Sequence, residues 1–460
     1  MDNEGRSKAN RIFERVLSEI KPSKEETAET IAHINAVMAR LKLIVDTGVD
    51  IRVVGSVARG TNMRGYADID IFVLFDKNSR KEDIVKRGLQ YGRKLASGKN
   101  DRLEIKYAEH PYTRIWLDDL GLKIDLVPAL KIGDARERGT AVDRTPLHNE
   151  FINANLTDKQ RDDTRVLKYL LKSHNLYGAE VKIGGFPGYL CELLIHQFGS
   201  LFKTLEFFSV ASSPIILDPR TRNSTKDESL VKKFNSNFIV IDPVDGDRNV
   251  AAGVSRASLS RFILLARMFL KKPNAETFYG RGFSSISAKQ LVDQFVKQTG
   301  SGLYLIETTV PDKSEDVVWP QLKKNAGLIS NLLARYGYEV YLSAVWVKAR
   351  KGYLLFSMPD DKIPAILRKG PEVFMRKAAE NFMRSHRRPI ATIVRDSTLC
   401  FLESNPYPSA TALFKNVLSG KLLGSKRNDV TFKGARLFAG KIPKNLAFEA
   451  YSEMLKKITI

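Results

Sequence analysis

Three carboxylates stand in apolar surroundings. Asp68 and Asp70 belong to the run Ala67-Asp68-Ile69-Asp70-Ile71-Phe72-Val73-Leu74-Phe75, whose β-branched and aromatic content predicts a strand. Strand side chains alternate between faces, so Asp68 and Asp70 share one face while Ile69 and Ile71 take the other. Two carboxylates side by side repel, and a strand tolerates them when a cation sits between. Mg²⁺, which takes oxygen ligands and shares them with phosphates, is the simplest candidate. Asp125, in Leu122-Lys123-Ile124-Asp125-Leu126-Val127-Pro128, is a lone acid in a second apolar strand pattern. Charge there is unfavourable unless paired or bound to metal. Upstream, Val53-Val54 ends an apolar run and Gly55-Ser56 makes a tight turn. Gly55 has no Cβ, so backbone and ligand can approach closely. Ser56 stands where a helix would begin, and its free N–H groups form a ready phosphate site. Arg59 and Arg64 add positive charge nearby. A solvated edge strand would account for D-x-D alone, but not for the turn before it or the third acid after it.

These residues need elements to position them. Residues 9–46 read as two helices broken at Lys21-Pro22-Ser23, with Ser23 and Glu26 spaced as a capping box. In the second, Ile31, Ile34, Met38, Leu41 and Ile44 recur at helical spacing and are expected in a core. Glu82–Ser97 reads as a helix, and 103–108, 112–117 and 121–130 as strands. The pattern predicts a mixed α/β head ending near residue 140. A mainly helical block follows: Asp158–Ser173, one apolar helix over Tyr189–Phe202, and Arg256–Leu270, with short strands near 215–217 and 238–241. Beyond residue 278 the pattern is mixed again. It includes a strand pair, 338–347 and 353–358, around the basic turn Lys348-Ala349-Arg350-Lys351-Gly352. Gly370-Pro371 is expected to open a basic helix over Glu372–Arg384, followed by Arg387 and Arg388. The end of the chain, 410–460, reads as helix plus basic loops carrying Lys421, Lys426, Arg427, Lys433, Arg436, Lys441 and Lys444.

The 460 residues suggest about three domains. Lys and Arg number 74 against 52 Asp and Glu, a formal net charge of +22. A chain this basic expects a polyanionic partner, nucleic acid first. No apolar run is long enough to span a bilayer, so a membrane is not expected as the partner. Two cysteines, Cys191 and Cys400, exclude a disulfide scaffold and a cysteine zinc site. The polar start lacks an apolar signal core, and a cytoplasmic location is expected. No internal repeat or low-complexity tract is evident.

A G-S turn, D-x-D on one strand and D on another resemble the nucleotidyltransferase superfamily that includes DNA polymerase β. Over most of its length the chain resembles a narrower family, the archaeal class I CCA-adding enzymes. The matching stretches, in order, are GSVARGT with DIDIFVLF, IKYAEHPY, KIDLVPALK, AVDRTPLH, LLKSHNLYGAEVKIGGFPGYLCELLI, VIDPVDGDRNVAA and VWPQL. The resemblance implies a multidomain α+β protein. A polymerase β-like catalytic head would occupy 1–140 and a helical neck reading the incoming base 141–272. A body at 273–325 and 396–460 would bind the tRNA acceptor, and a tail at 326–395 the tRNA elbow. It implies template-independent addition of C, C and A to a tRNA 3′ end from CTP and ATP, with two Mg²⁺ ions held by Asp68, Asp70 and Asp125. Some members carry Glu where this chain has Asp68. Ser56 and Arg59 resemble residues that contact the nucleotide, and His148, Lys168 and Tyr177 resemble those that hold triphosphate and sugar. Arg248 resembles an arginine that hydrogen-bonds the base edge. Poly(A) polymerases, oligoadenylate synthetases and small-molecule nucleotidyltransferases share the G-S and D-x-D logic. The excess charge disfavours a small-molecule substrate, and the intact acids disfavour a catalytically dead RNA-binding protein. The sequence leaves open Mn²⁺ against Mg²⁺ and whether the chain forms a homodimer.

Overall fold

The structure is a computed structural model, and it describes residues 3–66, 68–107, 111–279, 285–359, 362–386, 388–419, 430, 432, 434–440 and 442–458. Arg387, Lys421, Lys426, Arg427, Lys433 and Lys441 lie outside the described residues. The chain forms two compact units, Met1–Gly280 and Arg281–Ile460.

The first unit begins with α1 (Asn3–Ile20) and α2 (Lys24–Ile44). They are separated where Pro22 removes a donor and Ser23 and Glu26 close the capping box. After them come β1 (Asp50–Val54), the single turn α3 (Gly55–Ala58), β2 (Ile69–Phe75), α4 (Lys81–Leu95), β3 (Arg102–Tyr107), β4 (Pro111–Leu117) and β5 (Leu122–Leu130). The sheet runs β1-β2-β5-β4-β3, with β2 and β5 parallel and the other pairs antiparallel. Ile69, Ile71, Val73, Ile124 and Leu126 pack against Ile34, Val37 and Leu41 of α2 and Ile84, Tyr91 and Leu95 of α4. Ile31 departs from the expected core stripe: it is 52% exposed, because Val37 rather than Ile31 completes the buried face. The inward isoleucines on β2 turn Asp70 to the opposite face.

The helical layer holds α5 (Thr145–Asn155), α6 (Asp158–Ser173), α7 (Gly188–Phe198) and α8 (Leu201–Val210). A small sheet follows from β6 (Ile215–Asp218), β7 (Asn223–Thr225) and, after α9 (Glu228–Phe234), β8 (Phe238–Val240); α10 (Arg256–Lys271) and α11 (Glu276–Tyr279) end the unit. α1 packs into this layer through Ala9, Ile12, Phe13 and Val16, next to α6. The single helix expected over Tyr189–Phe202 is two. Gly199 adopts φ +82° at the end of α7, and the Ser200 hydroxyl accepts the Lys203 N–H to cap α8.

The second unit runs α12 (Ser285–Thr299), β9 (Ser301–Thr309), α13 (Glu315–Arg335), β10 (Leu342–Lys348), β11 (Lys351–Pro359), β12 (Ala365–Glu372), α14 (Arg376–Ser385), β13 (Ala391–Arg395), β14 (Thr398–Ser404), α15 (Ala410–Leu418), β15 (Arg436–Ala439) and α16 (Lys444–Ile458). A four-stranded sheet β10-β11-β9-β15 shares one core with α13 and α15 and another with α12 and α16. A three-stranded sheet β12-β14-β13 draws residues 365–404 together, with α14 packed on it. The helix expected from Glu372 starts instead at Arg376, because β12 runs through Gly370-Pro371 to Glu372. β12 lies at the sheet edge and its register shifts between Lys369 and Glu372, a place where a strand accommodates proline. Among the described residues no helix is long and apolar enough to cross a membrane.

Candidate active site

The sheet register sets the site. Asp70 on β2 stands opposite Val54 at the end of β1 and opposite Asp125 on β5; Asp125 in turn faces Arg114 on β4. The next residue after Val54 is Gly55, at φ +81°, and a Cβ there would lie 2.2 Å from Asp70 Oδ2. Glycine is therefore required twice, by the left-handed backbone and by the carboxylate pressed against it. Ser56 is half-buried in the single turn α3, which has no side-chain cap, and its carbonyl accepts the Thr61 N–H at 2.9 Å. Gly55→Ala is expected to cost about 1–3 kcal/mol of stability through backbone strain. It should also displace Asp70, so that a reaction depending on that carboxylate falls at least about tenfold, since small misplacements at a reacting centre are amplified in rate. Melting temperature and turnover measured side by side check both.

Burial lifts Asp70 to about 7, with the Asp125 and Asp68 carboxylates adding to the shift and Arg59 and Arg114 opposing it. No hydrogen bond or ion pair from a described residue reaches its carboxylate. Its neighbours are engaged. Arg114 donates to both oxygens of Asp125, Nε to Oδ1 and Nη2 to Oδ2, each at 2.7 Å. Asp68, just ahead of β2 and mostly exposed, pairs with Lys123 at 2.5 Å. The three acids are thus neighbours in register but do not converge: among the described residues no three carboxylate, imidazole or thiol groups form a metal cage. The donor set nevertheless suits a hard cation. A partnerless carboxylate lifted by two others is relieved by positive charge brought to it, and every available ligand atom is oxygen.

A stripe of four cations along α6 holds the loop between α3 and Asp68. Arg161 Nε donates to the Arg59 carbonyl at 3.0 Å, Arg165 Nε to the Asn62 carbonyl at 2.8 Å, and Lys168 Nζ to Thr61 Oγ1 at 2.9 Å; Lys172 Nζ lies over the Tyr66 ring. Lys168 is 2% exposed and also donates to Glu192 Oε1 on α7 at 3.1 Å. Glu192 is fully buried, and Arg59 Nε lies 2.9 Å from its Oε2, an ion pair without hydrogen-bond alignment. Burial would raise the Glu192 carboxyl, but Arg59, Lys168 and the Thr61 hydroxyl bring it below the usual range. Tyr177 is half-buried beside this cluster; its hydroxyl and Lys168 lie against Gly188, where a Cβ would sit 2.9 Å from the phenol oxygen.

A second hub forms on Asp242. Its Oδ2 accepts from His148 Nε2 at 2.9 Å and Arg248 Nη1 at 2.8 Å, and its Oδ1 accepts from the Tyr189 hydroxyl at 3.2 Å. Asp242 is held at about 2: burial pushes its carboxyl up, and His148 and Arg248 more than reverse that. Burial lowers His148, which stacks on Tyr189 with ring centroids 4.2 Å apart. α7 therefore serves both hubs, through Tyr189 and Glu192 on one helix face.

The structure gathers Gly55, Asp70, Asp125 and Arg59 at one end of the head sheet, Lys168 and Tyr177 beneath the loop, and His148 with Arg248 on Asp242. Sequence reasoning missed Arg114, Glu192 and Asp242. Glu192 carried a signal, a single acid inside an otherwise apolar helix, where burial demands a partner. Arg114 and Asp242 carried none, since only the sheet order and the chain's return after β8 reveal what they touch.

Three family models match the chain: the nucleotidyltransferase domain over residues 34–148, the second domain of tRNA nucleotidyltransferase over 162–279, and the C-terminal domain of CCA-adding enzyme over 299–431. The CCA-adding enzyme of Methanocaldococcus jannaschii is 35% identical over 421 residues, covering 89% of this chain and 91% of that protein. The CCA-adding enzyme of Sulfurisphaera tokodaii is 35% identical over 339 residues, covering 73% and 75%. A solved structure of the Cid1 poly(U) polymerase covers 59% of this chain at 14% identity and a TM-score of 0.49, too distant to carry a residue role across.

Proposed function

The chain belongs to the CCA-adding enzymes, the tRNA nucleotidyltransferases of its archaeal relatives, and on that premise we propose how its residues divide the reaction. That it is a nucleotidyltransferase which completes the CCA end of tRNA follows from the family. The observation that carries the finer reading is Asp70: an acid at about 7 whose carboxylate has no hydrogen-bond or ion-pair partner among the described residues, pressed against Gly55 and in register with Asp125.

In the proposed step the tRNA 3′-oxygen attacks the α-phosphorus of CTP or ATP. A new oxygen–phosphorus bond forms, the bond to the β-phosphate oxygen breaks, and pyrophosphate departs. Asp68, Asp70 and Asp125 would hold two Mg²⁺ ions, which supply the charge that activates the hydroxyl and offsets the leaving phosphates. Asp125, oriented by the Arg114 fork, accepts the hydroxyl proton. The Gly55-Ser56 turn lets the triphosphate approach the backbone, and Arg59 offsets its charge, which is most of what such a transfer asks of a protein. Lys168 works from below, keeping Arg59 and the loop in place through Glu192. Tyr177 borders the sugar, and His148 the triphosphate. Arg248, anchored on Asp242 by one nitrogen, presents its remaining donors to a base edge.

We read 1–140 as the catalytic head and 141–272 as the neck. The expected body, 273–325 and 396–460, would receive the tRNA acceptor, and the expected tail, 326–395, the elbow. Because β10 and β11 share one sheet with β9 and β15, we move 342–359 to the body and read the three-stranded module β12-β14-β13 as the tail. The excess positive charge supports contact with tRNA phosphates. A cytoplasmic location goes with that substrate.

Labelled CTP and ATP, offered separately and together to tRNA lacking CCA, test the reading on a sequencing gel. CTP alone should extend the tRNA by two residues, and both nucleotides by three. Extension from ATP alone into a long tail, with none from CTP, would overturn it.

A further inference from the structure

The loop that the α6 stripe holds ends in an aromatic ring with no role in the reaction as described. Tyr66 follows a turn in which Gly65 adopts φ +72° and the Tyr66 N–H bonds the Met63 carbonyl at 3.1 Å. The turn is tied down by the Arg64 N–H on the Ile20 carbonyl at 2.7 Å, and by the Arg64 side chain on Glu26 at 3.0 Å. Tyr66 is 56% exposed, yet its ring is not loose: Lys172 Nζ sits 3.0 Å from its centroid. An ammonium against one face of a phenol is held by the ring's negative π-surface. It also polarises the ring, and the residue stays largely open to solvent. Two residues on is Asp68, so its Cα lies at most about 7 Å from that of Tyr66.

We propose that Tyr66 is a stacking platform for the last unpaired base of the tRNA 3′ end. The inference rests on the CCA-adding reading above. That reaction needs a single-stranded RNA end whose sequence changes as it grows, held at one place beside the acids. Aromatic stacking suits the task because every base has a π-face, so the contact tolerates whichever nucleotide is terminal. A ring braced from below by Lys172 loses little freedom when a base lands on it. Packing would not keep a ring this exposed, and Tyr66 makes no aromatic pair among the described residues.

The test uses the full-length protein with tRNA ending before CCA and carrying 2-aminopurine at its 3′ terminus. Wild-type protein must first add CMP to unmodified tRNA; failure there removes the parent reading, not this one alone. Tyr66→Ala is expected to raise KM for tRNA about tenfold, within the range of a lost base–aromatic stack. KM for CTP should hold, and Tyr66→Phe should stay near wild type. Binding should quench 2-aminopurine emission with wild type and with Tyr66→Phe, and not with Tyr66→Ala. Tyr66→Leu, which keeps apolar bulk without a π-face, should behave as Tyr66→Ala, and the exposed position should leave the melting temperature of all three unchanged. Unchanged tRNA KM and quenching in Tyr66→Ala would overturn the proposal. So would a rise in KM for CTP alone, which would assign the ring to the nucleotide.

Discussion

Asp70→Asn is expected to abolish nucleotide transfer, by roughly 10³-fold or more, the scale on which removing one member of a charge-stabilising site acts. The same variant should be more stable than the wild type at pH 8. The sign follows from linkage. In the folded protein Asp70 titrates near 7, against an ordinary value of 3.8. Between those two pH values the folded chain keeps a proton that the unfolded chain has released. Stability is therefore fullest below about 4 and falls as pH rises through 7. Asparagine cannot ionise and escapes that loss. The gain should be roughly 2–4 kcal/mol at pH 8, vanishing near pH 4. Thermal melts of both proteins across this range check it. An Asp70→Asn protein no more stable than wild type at pH 8 would mean that Asp70 is already relieved by a partner.

Glu192→Ala should give the largest loss of stability. Glu192 is the only acid in contact with the buried Lys168 and Arg59 among the described residues. Removing it leaves two cations without a counter-charge in an apolar setting. Breaking a buried ion pair from one side costs about 3–5 kcal/mol, which at this size lowers the melting temperature by on the order of 10 °C. Because Arg59 and the loop are released together, transfer should fall even where the protein stays folded. Glu192→Gln combined with Lys168→Met should recover part of the stability, since one uncompensated charge goes with it. A Glu192→Ala protein that melts like the wild type would show that water already reaches these cations.

The strand that carries Asp70 was legible from its β-branched and aromatic content, and so was the face Asp70 takes opposite Ile69 and Ile71. The helix break at Pro22 and the Ser23 cap were legible because capping is local chemistry. What the sequence could not say is who neighbours whom. Nothing in the period of β2 or β5 shows that they are parallel partners with Asp70 opposite Asp125, or that β4 brings Arg114 to Asp125. The same limit applies to Lys168. Its place on an amphipathic helix is readable, but its burial against Glu192 depends on α7 crossing α6. The extension of β12 through Pro371 was unreadable for a related reason, since proline forbids a central strand but not an edge, and edges are decided by the whole sheet. Of the residues that the resemblance named, Arg59 and Lys168 meet on the buried acid Glu192, and His148 and Arg248 on Asp242; only Glu192, alone in an apolar helix, carried a sequence signal.

The central claim is that Asp70 is kept without a partner so that a divalent ion can take that place. The direct measurement is a Mg²⁺ titration of melting temperature at pH 8, without nucleotide or tRNA, on wild type and Asp70→Asn. An ion bound only by the folded state stabilises it by about 1.4 kcal/mol at ten times its dissociation constant. The wild type should therefore gain a few degrees as Mg²⁺ rises, and Asp70→Asn should gain none. Equal responses from the two proteins would contradict the claim.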